Sequence, residues 1–327
     1  MSLCNARRRI HRQILLAIVT VFVVFPGRTP IHGQGAAAAR LRFAVNMTTI
    51  ESAPVFLAAD GSSGAEISIS AGGIPQLVSG DADAATNAET QALIRSVASP
   101  NLRIVLTVAE CYYRIVARRS AGISRVSDLK GKKVGTSLNT SAHYFLTKMA
   151  RTAGIAEKDV TALALPLPEM PAALTRGDVD AIAIWEPQAH NSEQALGADA
   201  IVFQDRSVYR ELFDLNTTAD VLADPVKRRA LVAAVARIIT ASEQVTGRPP
   251  SVWPLVSAKI HVPEPTISAV WKHFRFAGGL PRDLLDVMVE EERWVASVQK
   301  REPRAREALR QLVDDTVLRD AVASLRR

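Results

Sequence analysis

LTRGDVDA at residues 174–181 repeats the pattern of LVSGDADA at residues 77–84, so Leu-x-x-Gly-Asp-x-Asp-Ala occurs twice, 97 residues apart. In both copies an apolar segment ends at a glycine, an acidic turn follows, and a new apolar segment begins at the alanine. Glycine is the usual residue just after a helix, and Gly-Asp favours a tight turn. Each copy therefore predicts helix, turn and strand. Such junctions recur in any α/β protein, but two copies also fit two lobes of similar construction.

The segments around these junctions alternate between strand and helix patterns. Short apolar or β-branched runs predict strands at residues 41–45, 67–70, 104–109, 133–136 and 181–185. Helices are predicted at residues 54–59, 74–79 and 142–153, the last from an apolar stripe at helical spacing, and the final hundred residues are mostly helical. This alternation predicts an α/β fold with mainly parallel sheets.

The composition is that of a folded protein, with 48% hydrophobic and 22% charged residues in 327. At the usual domain size, this length predicts two domains. The formal net charge is +7, but residues 1–39 hold five arginines and no acid, which leaves 35 basic and 33 acidic residues in the remainder. The charge therefore gives no support for a nucleic-acid partner. The two cysteines, Cys4 and Cys111, exclude a disulfide scaffold and a four-cysteine zinc site.

Residues 1–39 have the layout of a secretory signal peptide. Four arginines precede a 12-residue apolar run at residues 14–25, and a stretch of small residues follows at 33–39. The run is shorter than the roughly 20 residues that a membrane-spanning helix needs. We expect export to the periplasm and removal of this segment, with an uncleaved membrane anchor as the alternative.

Ligands of open parallel sheets bind beyond the carboxyl ends of the strands. Five polar segments follow the predicted strands or junctions and are candidate ligand contacts: residues 46–49, 86–90, 110–113, 137–141 and 185–187. In residues 137–141, hydroxyl and amide side chains gather at the start of the helix at 142–153: Ser137, Asn139, Thr140 and Ser141. A helix start offers free N–H groups and a positive dipole end to an anion. The alternative is that Thr140 or Ser141 simply caps the helix.

Aromatic and acidic residues near the other strand ends have two interpretations each. Trp185 is a wall of the ligand pocket or a core residue. Glu89, Glu110 and Glu186 could bind a cationic group of the ligand, or be solvated loop acids. The sequence contains no dinucleotide, phosphate-loop, zinc-protease or nucleophile-elbow motif, so we expect no catalytic residue, cofactor or metal.

Two stretches resemble a known family. SDLKGKKVG at residues 127–135, and ALTRGDVDA at 173–181 followed by Trp185-Glu186-Pro187, are similar to segments of bacterial solute-binding proteins for sulfonates, nitrate and taurine. That family also includes binders of thiamine-precursor pyrimidines. The resemblance implies a two-lobed periplasmic binding protein of type II, with parallel-rich sheets and two crossovers between the lobes. Lobe 1 would comprise residues 41–115 and 220–327, and lobe 2 residues 116–219.

The resemblance also implies a site and partners. The ligand would lie between the lobes, against Asn139, Thr140 and Ser141 at the anion-contacting helix start, with Trp185 at the family's tryptophan position. First-lobe contacts fall near four residues: Met47, Thr48, Asn87 and Ala88. The implied function is the substrate-binding receptor of an ABC importer, a monomer that captures a small organic anion and delivers it to a permease in the inner membrane.

Two departures from the family pattern leave the ligand open. Residues 59–65 lack the aromatic residue that usually follows the first helix, and no arginine lies in the predicted strand-end loops, although Arg114 is near. The missing arginine weakens the case for a strongly anionic ligand and leaves room for a carboxylate or an uncharged heterocycle. Three other functions are open: a periplasmic sensing subunit, a thiamine-pyrimidine precursor binder, or a related synthesis enzyme, which in its family uses a cysteine-rich iron motif.

Overall fold

The computed structural model describes residues 40–61 and 67–327, which belong to one compact unit. The predicted signal peptide and most of the unusual 59–65 segment lie outside the described residues. No helix of the described residues is long and apolar enough to cross a membrane.

Two sheets hold the strands. The first has the order β11-β4-β10-β3-β1-β2, and the second has the order β7-β6-β8-β5-β9. Their bounds are β1 Leu41–Val45, β2 Ile67–Ala71, β3 Ala84–Ala88, β4 Leu102–Cys111, β5 Arg114–Arg118, β6 Lys133–Thr136, β7 Thr161–Ala164, β8 Ala181–Ile184, β9 Ala200–Phe203, β10 Glu211–Thr218 and β11 Phe274–Arg275.

Helices cover the sheets and fill the carboxyl-terminal third. Their bounds are α1 Ala53–Asp60, α2 Ile74–Val78, α3 Glu89–Arg95, α4 Ser141–Thr152, α5 Met170–Arg176, α6 Gln188–Leu196, α7 Ala219–Ala223, α8 Pro225–Gly247, α9 Pro249–Ile260, α10 Glu264–Val270, α11 Leu284–Val298, α12 Arg306–Arg310 and α13 Thr316–Leu325. The α/β prediction is confirmed.

Each sheet combines parallel and antiparallel strands. Strands β1, β2 and β3 pair in parallel, as do β6, β7 and β8. Strands β4, β10 and β11 are antiparallel to their neighbours in the first sheet, as β5 and β9 are in the second. The antiparallel strands flank the two crossovers, because the chain passes to the second sheet after β4 and returns before β10.

The sheet pairing differs from the lobe boundaries expected from the sequence. Strand β10 falls within residues 116–219, which were assigned to the second lobe, yet it pairs with β3 and β4 of the first sheet. Strand β5 begins at Arg114, inside the range assigned to the first lobe, yet it pairs with β8 and β9. We therefore propose crossovers near residues 112–113 and 204–210.

The repeated sequence pattern forms the same junction in both sheets. Gly80 and Gly177 have φ angles of 82° and 84°, in the left-handed region that favours glycine. The Asp83 carboxylate accepts a hydrogen bond from the Arg42 amide on β1, at 2.9 Å. The Asp180 carboxylate accepts one from the Lys133 amide on β6, at 3.0 Å. Each aspartate thus ties its strand to the neighbouring parallel strand.

Candidate functional site

A cavity of about 530 Å³ lies between the two sheets and is large enough for a small organic molecule. The first-sheet side contributes residues Asn46, Thr49, Glu51, Gly72, Gly73, Pro75, Gln76, Asn87, Ala88, Gln91, Arg95, Glu211 and Phe213. The second-sheet side contributes Leu138, Asn139, Thr140, Ser141 and Trp185, and Tyr113 comes from the crossover. The cavity thus lies where the parallel strands β1, β3, β6 and β8 end, as the sheet architecture predicts.

The loop before α4 forms the second-sheet wall. Asn139 has a φ of 58°, a left-handed conformation that asparagine tolerates better than most residues. Thr140 is the helix cap, because its hydroxyl accepts a hydrogen bond from the Ala142 amide. The capping interpretation is therefore correct for Thr140. Its hydroxyl also donates to the Ser137 carbonyl, at 2.7 Å, which closes the loop.

Ser141 is the first residue of α4, and it lines the cavity. Its hydroxyl shares a 2.9 Å hydrogen bond with the Tyr113 hydroxyl. Its backbone amide has no acceptor among the described residues. The helix start therefore keeps a free donor at the cavity, as an anion site requires.

Trp185 lines the cavity and also packs against the core. Its ring centroid lies 5.8 Å from that of Tyr113. Tyr113 in turn contacts Phe145 and Tyr209. This aromatic group joins the crossover strands to α4 and gives the cavity an apolar side.

Asn87 shapes the first-sheet wall. Its side-chain oxygen accepts a hydrogen bond from the Ile74 amide at the start of α2, at 2.8 Å. A Cβ atom on Gly73 would collide with this oxygen. Gly73 is therefore needed for the close approach of the α2 loop to β3. Ala88 completes this part of the wall.

Two buried acids, Glu51 and Glu211, lie on the first-sheet side of the cavity, and together we call them the acid pair. Their exposed fractions are 1% and 4%. Burial raises the pKa of Glu51 to about 7. Burial, followed by the charges of Glu51 and Glu89, raises the pKa of Glu211 well above its ordinary value. One carboxylate oxygen of each acid has no hydrogen-bond partner among the described residues.

The acid pair is also where a metal ion could bind. The side-chain ligand atoms of Glu51, Cys111 and Glu211 all lie within 4.8 Å of one another. Burial raises the pKa of the Cys111 thiol well above its ordinary value, so the thiol is protonated at neutral pH. A metal ion would therefore have to displace protons from a buried site, which disfavours metal binding by these three residues.

Five of the residues predicted to contact a ligand do not line the cavity: Met47, Thr48, Glu110, Ser137 and Glu186. The Thr48 amide and hydroxyl both donate to the Asn46 side chain, which holds this turn together. Glu110 pairs with Arg275 of β11, at 3.2 Å. These predictions placed the side chains beyond the strand ends, but Thr48, Glu110 and Glu186 have partners within the protein instead.

Glu186 and Arg114 form a buried ion pair. The Arg114 Nε atom donates to Glu186 at 2.5 Å, and the His190 amide donates to the other oxygen. Arg114 also pairs with Glu193, so it is not available to a ligand. The arginine that lines the cavity is Arg95, at the end of α3.

Sequence reasoning missed several residues of the cavity, above all Glu51, Glu211 and Arg95, and it included Tyr113 only as part of the candidate segment 110–113. Glu51 lies in a 3-10 turn, Ile50–Ser52, which the sequence presents only as a polar stretch. Glu211 begins β10, a strand that was not predicted. The sequence marks Glu211 only as an acidic residue at the start of the segment 211–218. This signal is too weak to identify Glu211 as a cavity residue.

The family model described as NMT1/THI5 like matches residues 67–241, more than half of the 327 residues. An aliphatic sulfonates-binding protein of Escherichia coli (strain K12) is 37% identical over 73 residues, which are 22% of this chain and 23% of that relative. The match to this curated relative thus spans less than a quarter of its length.

Solved structures share the fold at low identity. The periplasmic aliphatic sulphonate binding protein from Escherichia coli aligns with a TM-score of 0.68 and 18% identity, over 83% of this chain and 96% of that chain. The periplasmic nitrate-binding protein from Synechocystis PCC 6803 aligns with a TM-score of 0.67 and 13% identity, over 88% and 89%. The desulfurization enzyme DSZB aligns with a TM-score of 0.59 and 15% identity, over 88% and 99%.

The two sheets and two crossovers of this chain therefore form the fold of periplasmic binding proteins. Because the family model covers more than half of its residues, the chain belongs to the NMT1/THI5-like family.

Proposed function

We propose that this chain is the substrate-binding receptor of an ABC importer and captures a small organic anion in the cavity between its two sheets. The sulfonate, nitrate and carboxylate classes are the candidates. Of the lining residues predicted from the sequence, six would contact the ligand: Asn87, Ala88, Asn139, Thr140, Ser141 and Trp185.

One observation supports this function most strongly, which is the free Ser141 amide at the start of α4. The amide and the helix dipole both favour a negative charge at this end of the cavity. Arg95 also lines the cavity and supplies a positive charge. The comparisons add that proteins of this fold bind sulfonate or nitrate.

We further propose that the receptor acts in the periplasm as a monomer and delivers its ligand to a membrane permease. The signal-peptide pattern of residues 1–39 supports export. The periplasmic neighbours support the same compartment. Closure of the two lobes around the ligand would present one bound conformation to the permease.

An enzymatic function is the second candidate, since DSZB has the same fold. The mature chain would offer one thiol, Cys111, which is buried and has a raised pKa. Such a thiol is a poor nucleophile. We therefore propose binding without turnover. A sensing subunit would bind the same ligand, and neighbouring genes for a permease and an ATPase would favour import.

The variant Ser141→Pro tests the function. Proline removes the amide donor, and the first helical position tolerates it. Thr140 already has the extended conformation that a residue before proline prefers, with φ −129° and ψ 176°. Ser141→Ala is the matched control, because it also loses the hydroxyl contact to Tyr113 but keeps the amide.

A thermal-shift screen of sulfonates, nitrate and carboxylates on the wild-type protein identifies the ligand, and calorimetry then gives affinities. We expect Ser141→Pro to bind about 10- to 100-fold more weakly than Ser141→Ala, the effect of one hydrogen bond to a charged group. Equal affinities of the two variants would contradict the anion site.

A further inference from the structure

The acid pair leaves hydrogen-bonding capacity unused at the cavity. Glu51 lies in the turn after β1, and Glu211 is opposite Cys111 in the β10–β4 pairing. Oε2 of each carboxyl group has no partner among the described residues, although both side chains are more than nine-tenths buried. Buried polar atoms are normally satisfied by a protein group, water or a ligand.

No basic side chain of the described residues neutralises the pair. The ion pairs of the described chain include none with Glu51 or Glu211. Arg210, which directly precedes Glu211, pairs with Asp283 at 2.6 Å instead. Two buried acids without a basic partner are stable when they hold a proton or when a cation lies beside them.

A simple anion does not suit such a surface. Ionised carboxylates in a confined cavity repel a second negative charge. A protonated carboxyl group can donate its O–H to an anion, but the anion offers no donor to the remaining carboxyl oxygen. A ligand group that carries N–H bonds suits either protonation state of the acid pair. It donates to the carboxyl oxygens that have no partner, and a positively charged group also balances the negative charge of ionised carboxylates.

The donors and acceptors that face the cavity come from both sheets. The Ser141 amide comes from the second-sheet side, whereas Arg95 and the acid pair come from the first-sheet side. Tyr113 lines the same cavity and is hydrogen-bonded to Ser141. A ligand that contacts both the donors and the acid pair would therefore carry an acidic group and a nitrogen donor.

We propose that the acid pair determines specificity: Glu51 and Glu211 select ligands that carry an ammonium, amidine or amino-heterocycle group beside their acidic group, over simple anions of the same size. This inference rests on the proposed binding function, and it narrows the ligand class. It makes nitrate and unsubstituted alkanesulfonates poor ligands of this chain.

Matched ligand pairs test the proposal on the full wild-type protein by calorimetry. The pairs are 2-aminoethanesulfonate with 2-hydroxyethanesulfonate, 3-aminopropanoate with propanoate, and 4-aminopyrimidine-5-carboxylate with pyrimidine-5-carboxylate. In at least one pair, we expect the member with the amino group to bind about tenfold or more tightly than its partner. In Glu51→Gln and Glu211→Gln, that ratio should fall severalfold.

Asp214→Asn is the matched control. Asp214 is on the same strand as Glu211, is fully buried and also has an oxygen without a partner, but it does not line the cavity. Its variant should keep the wild-type ratio, and the melting temperature of each variant reports folding. Equal binding within every pair, or an undiminished ratio in both Gln variants, would overturn the specificity role. Binding of no panel member, nitrate and alkanesulfonates included, would overturn the receptor function itself.

Discussion

Glu51 shows how far a side chain's surroundings can differ from what the sequence suggests. It belongs to a polar stretch, yet it is 1% exposed and its pKa is raised to about 7 by burial, beside Cys111 and Glu211. Glu186 is the opposite case, since the sequence suggested a ligand contact and the fold uses it to pair with Arg114. The two chain segments of that pair are 72 residues apart. Spacing along the sequence cannot reveal such partners.

The titration of Glu51 predicts a pH-dependent stability. Its pKa is about 7 in the folded protein and near its ordinary value of 4.5 in the unfolded chain, so the folded state binds more protons between these values. The contribution of Glu51 to stability therefore falls as the pH rises from about 4.5 to 7. His273 acts in the opposite direction, because burial, helped by Arg114, lowers its pKa to about 4.

Comparison with Glu51→Gln isolates this contribution, because glutamine stays neutral at every pH. We expect similar melting temperatures for the variant and the wild type at pH 5, and a higher one for the variant at pH 7.5. Scanning calorimetry at both pH values measures the difference. A difference that does not change with pH would show that Glu51 titrates normally.

At the scale of elements, strands and helices with uniform patterns were predicted well. Strand β6 has the predicted bounds, β8 ends one residue earlier than predicted, and α4 is shifted by one residue at each end. Strand β10 was missed because Asp214 and Asn216 interrupt its apolar pattern, although all eight of its residues are buried. Thr107 on β4 donates to Asp214, a partner that becomes visible only when the strands pair.

The two junction aspartates should differ in their contribution to stability. Asp83 also binds Lys227 at 3.0 Å, and its side chain is 4% exposed, whereas that of Asp180 is 25% exposed. We expect Asp83→Ala to lower the free energy of unfolding by about 2–3 kcal/mol, and Asp180→Ala by about 1 kcal/mol. Urea unfolding of both variants measures this, and a larger loss for Asp180→Ala would contradict the assigned roles.

At the scale of the whole molecule, contacts across the cavity hold the two sheets together. The Gln91 side chain donates to the Asn139 carbonyl at 3.2 Å, next to the cavity. Helix α11 packs against α4, with Trp294 5.3 Å from the Tyr144 ring. The repeated junction fitted two lobes of similar construction, and the family resemblance implied a site between them. It could not indicate the acid pair, since the crossovers bring Glu51 and Glu211 together from positions 160 residues apart.

The most direct measurement is a crystal structure of the protein with the strongest ligand of the matched panel. We predict ligand density in the cavity between the sheets, with the acidic group at the Ser141 amide and the nitrogen donor at Glu51 and Glu211. Ligand density elsewhere on the protein, with an unchanged cavity, would contradict the account.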